Sequence, residues 1–455
     1  MDLTFARKLA GKLGMDKAIA YSSGARVVGG VTGVLSVFFI TSFLTGVEQG
    51  FYYTFGSLLA MQVFFELGLT GIMTQFVAHE ASHLALNENA IYEGEEKYKS
   101  RLASLIHFCV KWYSILAVVV FVFLIIVGYV YFNRYGTDHT EVEWQIPWLL
   151  VCAGTAIKLF QSPFNSILMG LGKVKEMSKV SFWQQVIQPT TIWIGLAVGC
   201  KLYVVGIGYL FSVVLWQVFV HKNGLAAIVI NLWKEQVTER VSYLNEIFPF
   251  QWKIALSWVS GYFVFQLFNP VLFATEGAIV AGQMGMTLQA LNAIQSFSMS
   301  WINTKVPLYS KFVALKDYFQ LDSIFNKTLK QMVGISIALL IAFFGAIGIL
   351  DITQFKLGQN VLVDRFLPFF PMLLMSIPVL LQQYTYSWAT YLRCHKQEPF
   401  LINSVCAGVA NLLSTFILGN LFGLNGVTIG YCSLAVLFFP WGYWIFKTKK
   451  AEWHR

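Results

Sequence analysis

Charged side chains are scarce in this sequence, because Asp, Glu, Lys and Arg make up only 12% of 455 residues while 56% are hydrophobic. A water-soluble globule of this composition would expose large apolar patches. We therefore exclude a soluble domain and expect lipid to be the main solvent of this chain.

The sequence also lacks a cysteine framework and an N-terminal signal. Residues 1–23 are too polar for the apolar core of a secretory signal peptide, so we expect no cleavage. The cysteines are scattered through apolar segments, with neither disulfide-framework nor metal-ligand spacing, and we interpret them as packing residues. They are Cys109, Cys152, Cys200, Cys394, Cys406 and Cys432.

Long apolar stretches are abundant. A helix needs about 20 apolar residues to cross a bilayer core, and barrel strands would instead be about ten alternating residues long. The sequence thus predicts an all-α integral membrane protein of about 12 transmembrane helices. The predicted spans are 24–44, 50–78, 102–132, 146–170, 178–200, 203–221, 251–274, 278–303, 328–350, 365–391, 400–421 and 425–446.

Two halves of the chain show weak similarity at an offset of about 227 residues, which aligns Arg26 with Lys253 and Gln62 with Gln289. Parallel repeats of this kind build two pseudo-symmetric six-helix bundles in several transporter folds. The predicted domains are a cytoplasmic N-terminal segment 1–23, a bundle 24–221, a cytoplasmic amphipathic linker 222–250 with its amphipathic stretch at 232–244, a bundle 251–446 and a cytoplasmic tail 447–455.

Lysine and arginine fall almost entirely in alternate loops, which predicts that those loops and both termini are cytoplasmic. The opposite loops contain only Arg134, Lys201, Lys356 and Arg365. The resulting net charge of +9 is explained by this asymmetry and requires no nucleic-acid partner.

Several cations lie inside predicted spans, where each costs about 2.5 to 3.5 kcal/mol unless it faces water or a partner. Lys158 lies in the middle of its span, whereas Arg26, Lys111 and Lys253 lie nearer an end and have snorkelling to the interface as an alternative. Glu66 is the acid nearest a bilayer midplane, and an ion pair with Glu66 is the alternative to a cavity role for Lys158.

Polar side chains at helical spacing indicate cavity walls, with hydrogen bonding between helices as the alternative. The second span has Gln62, Glu66 and Thr70. The seventh has Gln266 and Asn269, and the eighth has the longest stripe. The residues of that stripe are Gln289, Asn292, Ser296, Ser300 and Asn303.

One enzyme motif is present, since His79-Glu80-Ala81-Ser82-His83 matches the H-E-x-x-H signature of zinc proteases. A third ligand could come from Glu93, Glu95 or Glu96. A helix end at the membrane surface is the simpler interpretation, because the protease hypothesis explains neither the duplication nor the cationic interior.

The chain resembles the polysaccharide transporters, or O-antigen flippases, of the superfamily that also contains the multidrug and toxin extrusion exporters. The resemblance rests on length, span number and duplication. Locally it rests on three segments, which are Glu48-Gln49-Gly50-Phe51-Tyr52-Tyr53-Thr54-Phe55, Phe65-Glu66-Leu67-Gly68-Leu69 and Met169-Gly170-Leu171-Gly172-Lys173.

The resemblance implies a non-enzymatic flippase of the bacterial inner membrane that moves an isoprenoid-pyrophosphate-linked oligosaccharide by alternating access through a cationic cavity. It implies membrane lipids, a polysaccharide polymerase and other assembly proteins as partners. No cofactor is expected, and Glu66 is the candidate site for a coupling ion, H⁺ or Na⁺. The alternatives are a drug exporter of the same superfamily, a zinc protease and a membrane glycosyltransferase.

Overall fold

The computed structural model describes residues 17–454 apart from 88–89, 138–140, 358–359 and 396, and for 17–27, 34, 250 and 360 it describes the backbone alone. The first part of the chain forms nine α-helices in this described range. They are Lys17–Phe43 (α1), Gly46–Leu59 (α2), Val63–Glu66 (α3), Leu69–Ala81 (α4), Glu96–Tyr135 (α5), Gln145–Gly170 (α6), Val174–Ala197 (α7), Tyr203–Lys222 (α8) and Leu225–Lys234 (α9).

The second part continues the all-α pattern, so the predicted fold class is confirmed. Its helices are Phe248–Phe265 (α10), Phe268–Thr275 (α11), Ala278–Asn303 (α12), Val306–Ala314 (α13), Tyr318–Thr353 (α14), Phe369–Arg393 (α15) and Leu401–Trp453 (α16). Short non-α turns occur at Ala60–Gln62, Tyr243–Ile247 and Val363–Arg365.

Apolar side chains remain exposed along the longest helices, as expected where lipid is the solvent. Val118 and Ile126 of α5 are 64% and 56% exposed, and Ile341 of α14 is 68% exposed. In the described part of the chain, five helices are long and apolar enough to span a membrane, and a sixth span results if the bent pair Gly46–Glu66 and Leu69–Ala81 counts as one.

Helix α16 is two helices joined at Gly423, whose φ of 55° and ψ of −134° interrupt the helical backbone. The two parts run antiparallel, because a Cβ at Gly426 would lie 2.1 Å from the Leu418 carbonyl oxygen and one at Gly430 would lie 2.2 Å from Ser414 Oγ. Glu276 accepts a hydrogen bond from the Leu424 amide at 3.2 Å. The predicted spans 400–421 and 425–446 thus form a hairpin without a loop.

Two short antiparallel hairpins interrupt the helices. Leu84–Leu86 (β1) pairs with Tyr92–Gly94 (β2), and Lys356–Leu357 (β3) pairs with Asn360–Val361 (β4). Each hairpin lies between consecutive long helices and lets the chain reverse outside the apolar segments.

Contacts divide the chain into two compact units. The first unit contains the chain up to Val28, Met61–Tyr131 and Glu143–Trp258, and the second contains Gly29–Ala60, Phe132–Val142 and Val259–Arg455. Each unit contains segments from both predicted bundles, so the division into two six-helix bundles remains a prediction.

The predicted amphipathic segment lies earlier than expected. The helix is Leu225–Lys234, with Leu225, Ile228 and Leu232 buried, whereas residues 235–242 are not helical. Placing the amphipathic stretch at 232–244 was therefore wrong. Residues after α9 donate hydrogen bonds from their backbone amides to side chains of α5 instead of forming a helix.

This docking is built on the first turns of α5. Ser100 Oγ accepts hydrogen bonds from the Thr238 and Glu239 amides, both at 2.8 Å, and Ser104 Oγ accepts one from Val241 at 3.1 Å. We call residues 235–247 the docked linker. Small hydroxyl side chains here satisfy backbone groups that would otherwise lack partners.

Arg101 holds the docked linker through two carboxylates. Its guanidinium lies 2.7 Å from Glu246 Oε2 and 3.1 Å from Glu80 Oε1, and the Glu80 side chain is only 2% exposed. The Arg101 guanidinium lowers the pKa of the Glu246 carboxyl from 4.5 by donating a hydrogen bond. The Glu246 contribution to stability is therefore complete above pH 4.5 and is lost as the pH falls through the lowered value.

We expect Arg101→Ala to lower the melting temperature strongly, because it leaves the buried Glu80 carboxylate without its cation. Breaking a buried pair costs about 3 kcal/mol or more. The matched control is Lys99→Ala, whose 2.8 Å pair with Glu235 is more exposed and is expected to change little. Thermal unfolding in detergent followed by tryptophan fluorescence compares the two, and equal effects would contradict the buried role of Arg101.

Candidate functional site

The second predicted span is broken rather than continuous, which corrects the expectation of one helix over 50–78. Leu67 and Gly68 have φ values of 51° and 68°, and the helices on either side meet at a 45° bend. Gly68 permits this left-handed turn without the steric cost of a side chain, and no space remains for one, since a Cβ would lie 2.6 Å from Ile254 Cγ2.

Glu66 ends the segment before this break. It is half-buried, and Thr70 Oγ1 donates a hydrogen bond to its Oε1 at 2.7 Å. The predicted stripe thus brings Glu66 and Thr70 together across the bend, while Gln62 is half-buried one turn earlier, at the end of a 3₁₀ turn.

Lys158 lies in α6 of the same unit. Its side chain is exposed. Its Nζ lies 5.1 Å from the ring centroid of Tyr209, within cation–π distance. Gly154 permits this approach, because a Cβ there would lie 2.7 Å from Tyr209 Cβ.

No acid neutralises Lys158 among the residues that the structure describes. The alternative of an ion pair with Glu66 is therefore not supported. Tyr113 lies within electrostatic reach of Glu66 and beside Ser162, one turn after Lys158 in α6. We call Glu66, Thr70, Tyr113, Lys158 and Tyr209 the intramembrane polar cluster.

Amides nearby join helices to one another. Gln161 Nε2 donates to Gln217 Oε1 at 3.2 Å, and Gln184 Nε2 donates to the Ser212 hydroxyl at 3.1 Å. These contacts fasten α6 and α7 to α8. Such amides stabilise helix packing rather than form a binding site.

The other predicted cations differ from Lys158 in their surroundings. Lys111 and Lys253 are exposed, and Lys253 Nζ lies 5.8 Å from the ring centroid of the adjacent Trp252. The side chain of Arg26 lies outside the described residues. Among the described residues, neither Lys111 nor Lys253 shares a contact with Lys158.

In the second unit, two predicted polar residues make specific contacts. Gln289 accepts a 2.6 Å hydrogen bond from the Tyr53 hydroxyl and donates to the Gly33 carbonyl at 2.7 Å. Asn269 is buried and donates to Ser57 Oγ at 3.1 Å. These side chains hold helices together.

The remaining predicted polar residues of this unit are more open. Asn292 and Ser296 are exposed on the same helix as Gln289. Gln266 is half-buried in the short gap between α10 and α11, and Gln251–Thr275 nevertheless forms one candidate span, in agreement with the predicted 251–274. The long polar stripe therefore combines packing contacts at one end with accessible groups at the other.

A buried cluster that the sequence did not single out surrounds Arg365. Arg365 is 5% exposed, and its Nη2 donates to the Leu44 carbonyl at 2.8 Å. Gln49 Nε2 donates to the carbonyls of Gly282 at 2.8 Å and Arg365 at 3.1 Å. The Glu48 carboxylate lies within electrostatic reach of the guanidinium. We call Leu44, Gln49, Gly282 and Arg365 the arginine cluster.

Close helix packing accompanies the arginine cluster. A Cβ at Gly50 would lie 2.0 Å from the Ala278 carbonyl oxygen, and one at Gly285 would lie 2.2 Å from Tyr53 Cγ. The Gly46-x-x-x-Gly50 spacing is the sequence signal for such packing. The segment Glu48-Gln49-Gly50, which contributes to the resemblance, is thus a helix contact with a capping box at Thr45 and Glu48.

The His79–His83 motif does not have zinc-protease geometry. The helix ends at Ala81, so His83 lies beyond the helix face that the motif requires, and it stacks on Tyr98 at 3.9 Å between ring centroids. Glu80, the residue that would be the base, is buried against Arg101. Among the described residues, no group of three His, Cys, Asp or Glu side chains is placed to hold a metal.

Solved structures show the same arrangement of helices. An inward-facing multidrug resistance MATE family transporter of the MOP superfamily aligns with a TM-score of 0.67 and 14% identity, over 92% of this chain and 95% of that one. The lipid II flippase MurJ, in an inward closed conformation, aligns with a TM-score of 0.61 and 12% identity, over 93% and 86%. The fold is that of the MATE and MurJ transporters.

A third structure of this fold carries a bound molecule. The MATE multidrug transporter DinF-BH, solved in complex with a ligand, aligns with a TM-score of 0.56 and 14% identity, over 94% of both chains. At these identities the likeness establishes the fold alone. No protein-family model and no curated protein sequence matches the chain.

Proposed function

We propose that this protein is a flippase that moves an isoprenoid-pyrophosphate-linked oligosaccharide, such as an O-antigen repeat unit, across the bacterial inner membrane. The observation that carries the proposal is Lys158, an exposed lysine within a predicted membrane-spanning helix that has no acidic partner among the described residues. A charged lysine at this depth is costly unless it faces water or an anion.

A pyrophosphate is such an anion. It provides oxygens that accept charge-assisted hydrogen bonds from an ammonium group, and these are about twice as strong as neutral ones. The Tyr209 ring, 5.1 Å from Lys158 Nζ, lies beside this ammonium group. The MurJ structure supports the proposal, because MurJ has this fold and is a lipid II flippase.

The arginine cluster has a role in the same proposal. The charge asymmetry of the loops predicts that Arg365 lies at the periplasmic end of the second unit. Release of a head group to that side would require the contact of residues 44–50 with residues 278–286 and Arg365 to open. Both termini and the docked linker are cytoplasmic in this orientation, and a polymerase would receive the released repeat unit.

The experiment deletes the encoding gene in its host and then restores it. We expect lipid-linked oligosaccharide to accumulate on the cytoplasmic face and to fall to the parental level when the wild-type gene is restored. The measurement is glycan accessibility to a membrane-impermeant lectin in sealed, oriented vesicles. Unchanged accessibility in the deletion strain would contradict the flippase proposal.

A drug exporter is the second candidate, and Glu66 is the observation that favours it. A half-buried carboxylate beside a broken helix is suited to bind a cationic drug or a coupling ion, and the DinF-BH structure of the same fold is a multidrug transporter with a ligand bound. Drug sensitivity of the deletion strain distinguishes the two functions. Normal glycan export with increased sensitivity to cationic drugs would favour the exporter.

We further propose that Glu66 binds the coupling ion, H⁺ or Na⁺. Glu66→Gln is expected to remove the dependence of transport on an ion gradient, because the amide keeps the shape and the Thr70 contact but neither ionises nor attracts a cation. Transport into vesicles with and without an imposed pH or Na⁺ gradient measures this. Unchanged gradient dependence in a folded variant would exclude Glu66 from coupling.

A further inference from the structure

A cavity of about 270 Å³ lies in the first unit between α6, α8 and the short helix α9, and none of its lining residues belongs to the intramembrane polar cluster. Its walls are mostly apolar and aromatic, with Gln161, Gln217 and His221 as the polar lining residues. The apolar and aromatic lining residues include Ile157, Phe164, Leu168, Trp216, Val220 and Ile230. We call this cavity the α6–α9 groove.

The groove extends over the depth of one leaflet. Ile157 lies near the middle of α6 and Leu168 near its end, and eleven residues of helix correspond to about 16 Å. Half of a hydrocarbon core is about 15 Å thick. The Leu168 end of the groove lies beside the end of α8, which the positive loop residues predict to be cytoplasmic.

The groove opens where lipid chains are the expected solvent. Ile157 and Ile230 line it and are 41% and 50% exposed, whereas Trp216 on its inner wall is 6% exposed. The volume is below the range of about 300 to 1,000 Å³ that is typical of drug-sized ligands. A flexible chain therefore suits this space better than a sugar unit does.

Two polar side chains of the inner wall are paired within the protein. Gln161 donates to Gln217 at 3.2 Å and to the Val213 carbonyl at 3.3 Å, and Trp216 Nε1 donates to Asn165 Oδ1 at 2.6 Å. The Gln161 amide nitrogen and the Trp216 indole thus need no hydrogen bond from a ligand, which favours a hydrocarbon occupant.

A histidine and a lysine lie at the predicted cytoplasmic end of the groove. His221 lines it and is exposed, and Lys222 follows in the last turn of α8 and is also exposed. A cation near a phosphate at the membrane surface attracts anionic lipid by about 1 kcal/mol. Charge complementarity therefore selects an anionic head group at this end.

We propose that the α6–α9 groove binds one acyl chain of an anionic phospholipid of the cytoplasmic leaflet, with the lipid phosphate at His221 and Lys222. The chain follows α6 from Leu168 towards Ile157 and covers the indole of Trp216. This site is separate from the path proposed for the transported head group and does not rest on the flippase proposal.

The first test fills the groove. Val220→Trp places an indole at a position that is 6% exposed and lines the groove, whereas Val218→Trp, its control, adds the same side chain at a 44% exposed position of α8 outside it. Native mass spectrometry of the detergent-purified protein with added phosphatidylglycerol counts bound lipid. We expect at least about fivefold weaker retention for Val220→Trp alone, and equal retention by both variants would overturn the proposal.

The second test needs no bulky substitution. The fluorescence of Trp216 is the difference in emission between the wild type and Trp216→Phe. In nanodiscs that contain phosphatidylglycerol with brominated chains, we expect bromine to quench this Trp216 fluorescence. Unquenched Trp216 fluorescence would overturn the proposal. This measurement keeps the proposal falsifiable if Val220→Trp does not fold.

Two further results define the occupant. We expect the pair His221→Ala and Lys222→Ala to lose the preference for phosphatidylglycerol over phosphatidylcholine while both lipids still reach the groove. If polyprenyl-pyrophosphate displaces phosphatidylglycerol from the wild-type protein and restores Trp216 fluorescence, the occupant is the chain of a transported lipid and the phospholipid proposal is wrong. If detergent replaces both lipids equally, the groove holds an adventitious additive only, and the proposal is also overturned.

Discussion

Lys158→Ala is expected to lower the rate of lipid-linked oligosaccharide transport by about 10- to 100-fold, the equivalent of one hydrogen bond to a charged group. The variant should fold, because Lys158 is exposed and has no salt bridge in the described part of the chain, so its removal leaves no buried carboxylate behind. The reason is the loss of the cation that offsets pyrophosphate charge. The measurement is initial-rate flipping of a pyrophosphate-linked oligosaccharide into proteoliposomes of equal protein content.

Two variants separate charge from packing at this position. Lys158→Arg keeps the charge and should retain much of the activity, whereas Lys158→Gln keeps most of the length and should behave like alanine. Tyr209→Phe keeps the ring that lies 5.1 Å from Nζ and should have a small effect on transport. Full transport by a well-folded Lys158→Ala would exclude the cationic-site proposal, and equal loss in the arginine variant would indicate a shape requirement instead.

Gly50→Ala is expected to disrupt the packing of α2 against α12, and it is the most damaging single-methyl change that we predict for the second unit. The new Cβ would lie 2.0 Å from the carbonyl oxygen and 2.6 Å from the carbonyl carbon of Ala278. Both atoms are backbone, so no side-chain rotation relieves the overlap. Forcing a methyl group into such a contact costs about 2 kcal/mol or more, and the Gln49 contacts to Gly282 and Arg365 would be lost with it.

The matched control is Gly56→Ala in the same helix, where a Cβ meets no atom within 4 Å. This control should be neutral or slightly stabilising, because alanine favours helix over glycine by about 1 kcal/mol. Melting temperature in detergent and labelling of a cysteine introduced at Ala281 measure stability and opening of the contact. If both glycine variants melt alike, the close approach of Gly50 to Ala278 is not maintained in the membrane.

The sequence predicted helix positions well because lipid leaves few alternatives. A bilayer admits only helices or closed barrels, so apolar runs translate directly into spans, and 146–170, 203–221 and 278–303 agree closely with α6, α8 and α12. Breaks inside spans were harder to predict. Leu67 has a positive φ that is set by its tertiary surroundings, and the residue carries no local signal for it.

The polar residues could be predicted only in part. A polar stripe indicates that one helix face avoids lipid, but the same pattern results from contact with another helix and from contact with water. Gln289 illustrates contact with another helix, whereas Asn292, one turn away, is exposed. The sequence placed Arg365 among the loop charges. Its burial could not be predicted, because its hydrogen-bond partners Gln49 and Leu44 are more than 300 positions away in the chain.

The hairpin turn at Gly423 also constrains how the end of the chain enters the membrane during synthesis. A 53-residue rod would be about 80 Å long, far more than a bilayer core of about 30 Å, so folding back at this point is obligatory. Because no loop separates the two arms and the Glu276 carboxylate occupies the space at the turn, we expect the two arms to enter the membrane as a pair. A reporter inserted at Gly423 is expected to separate them.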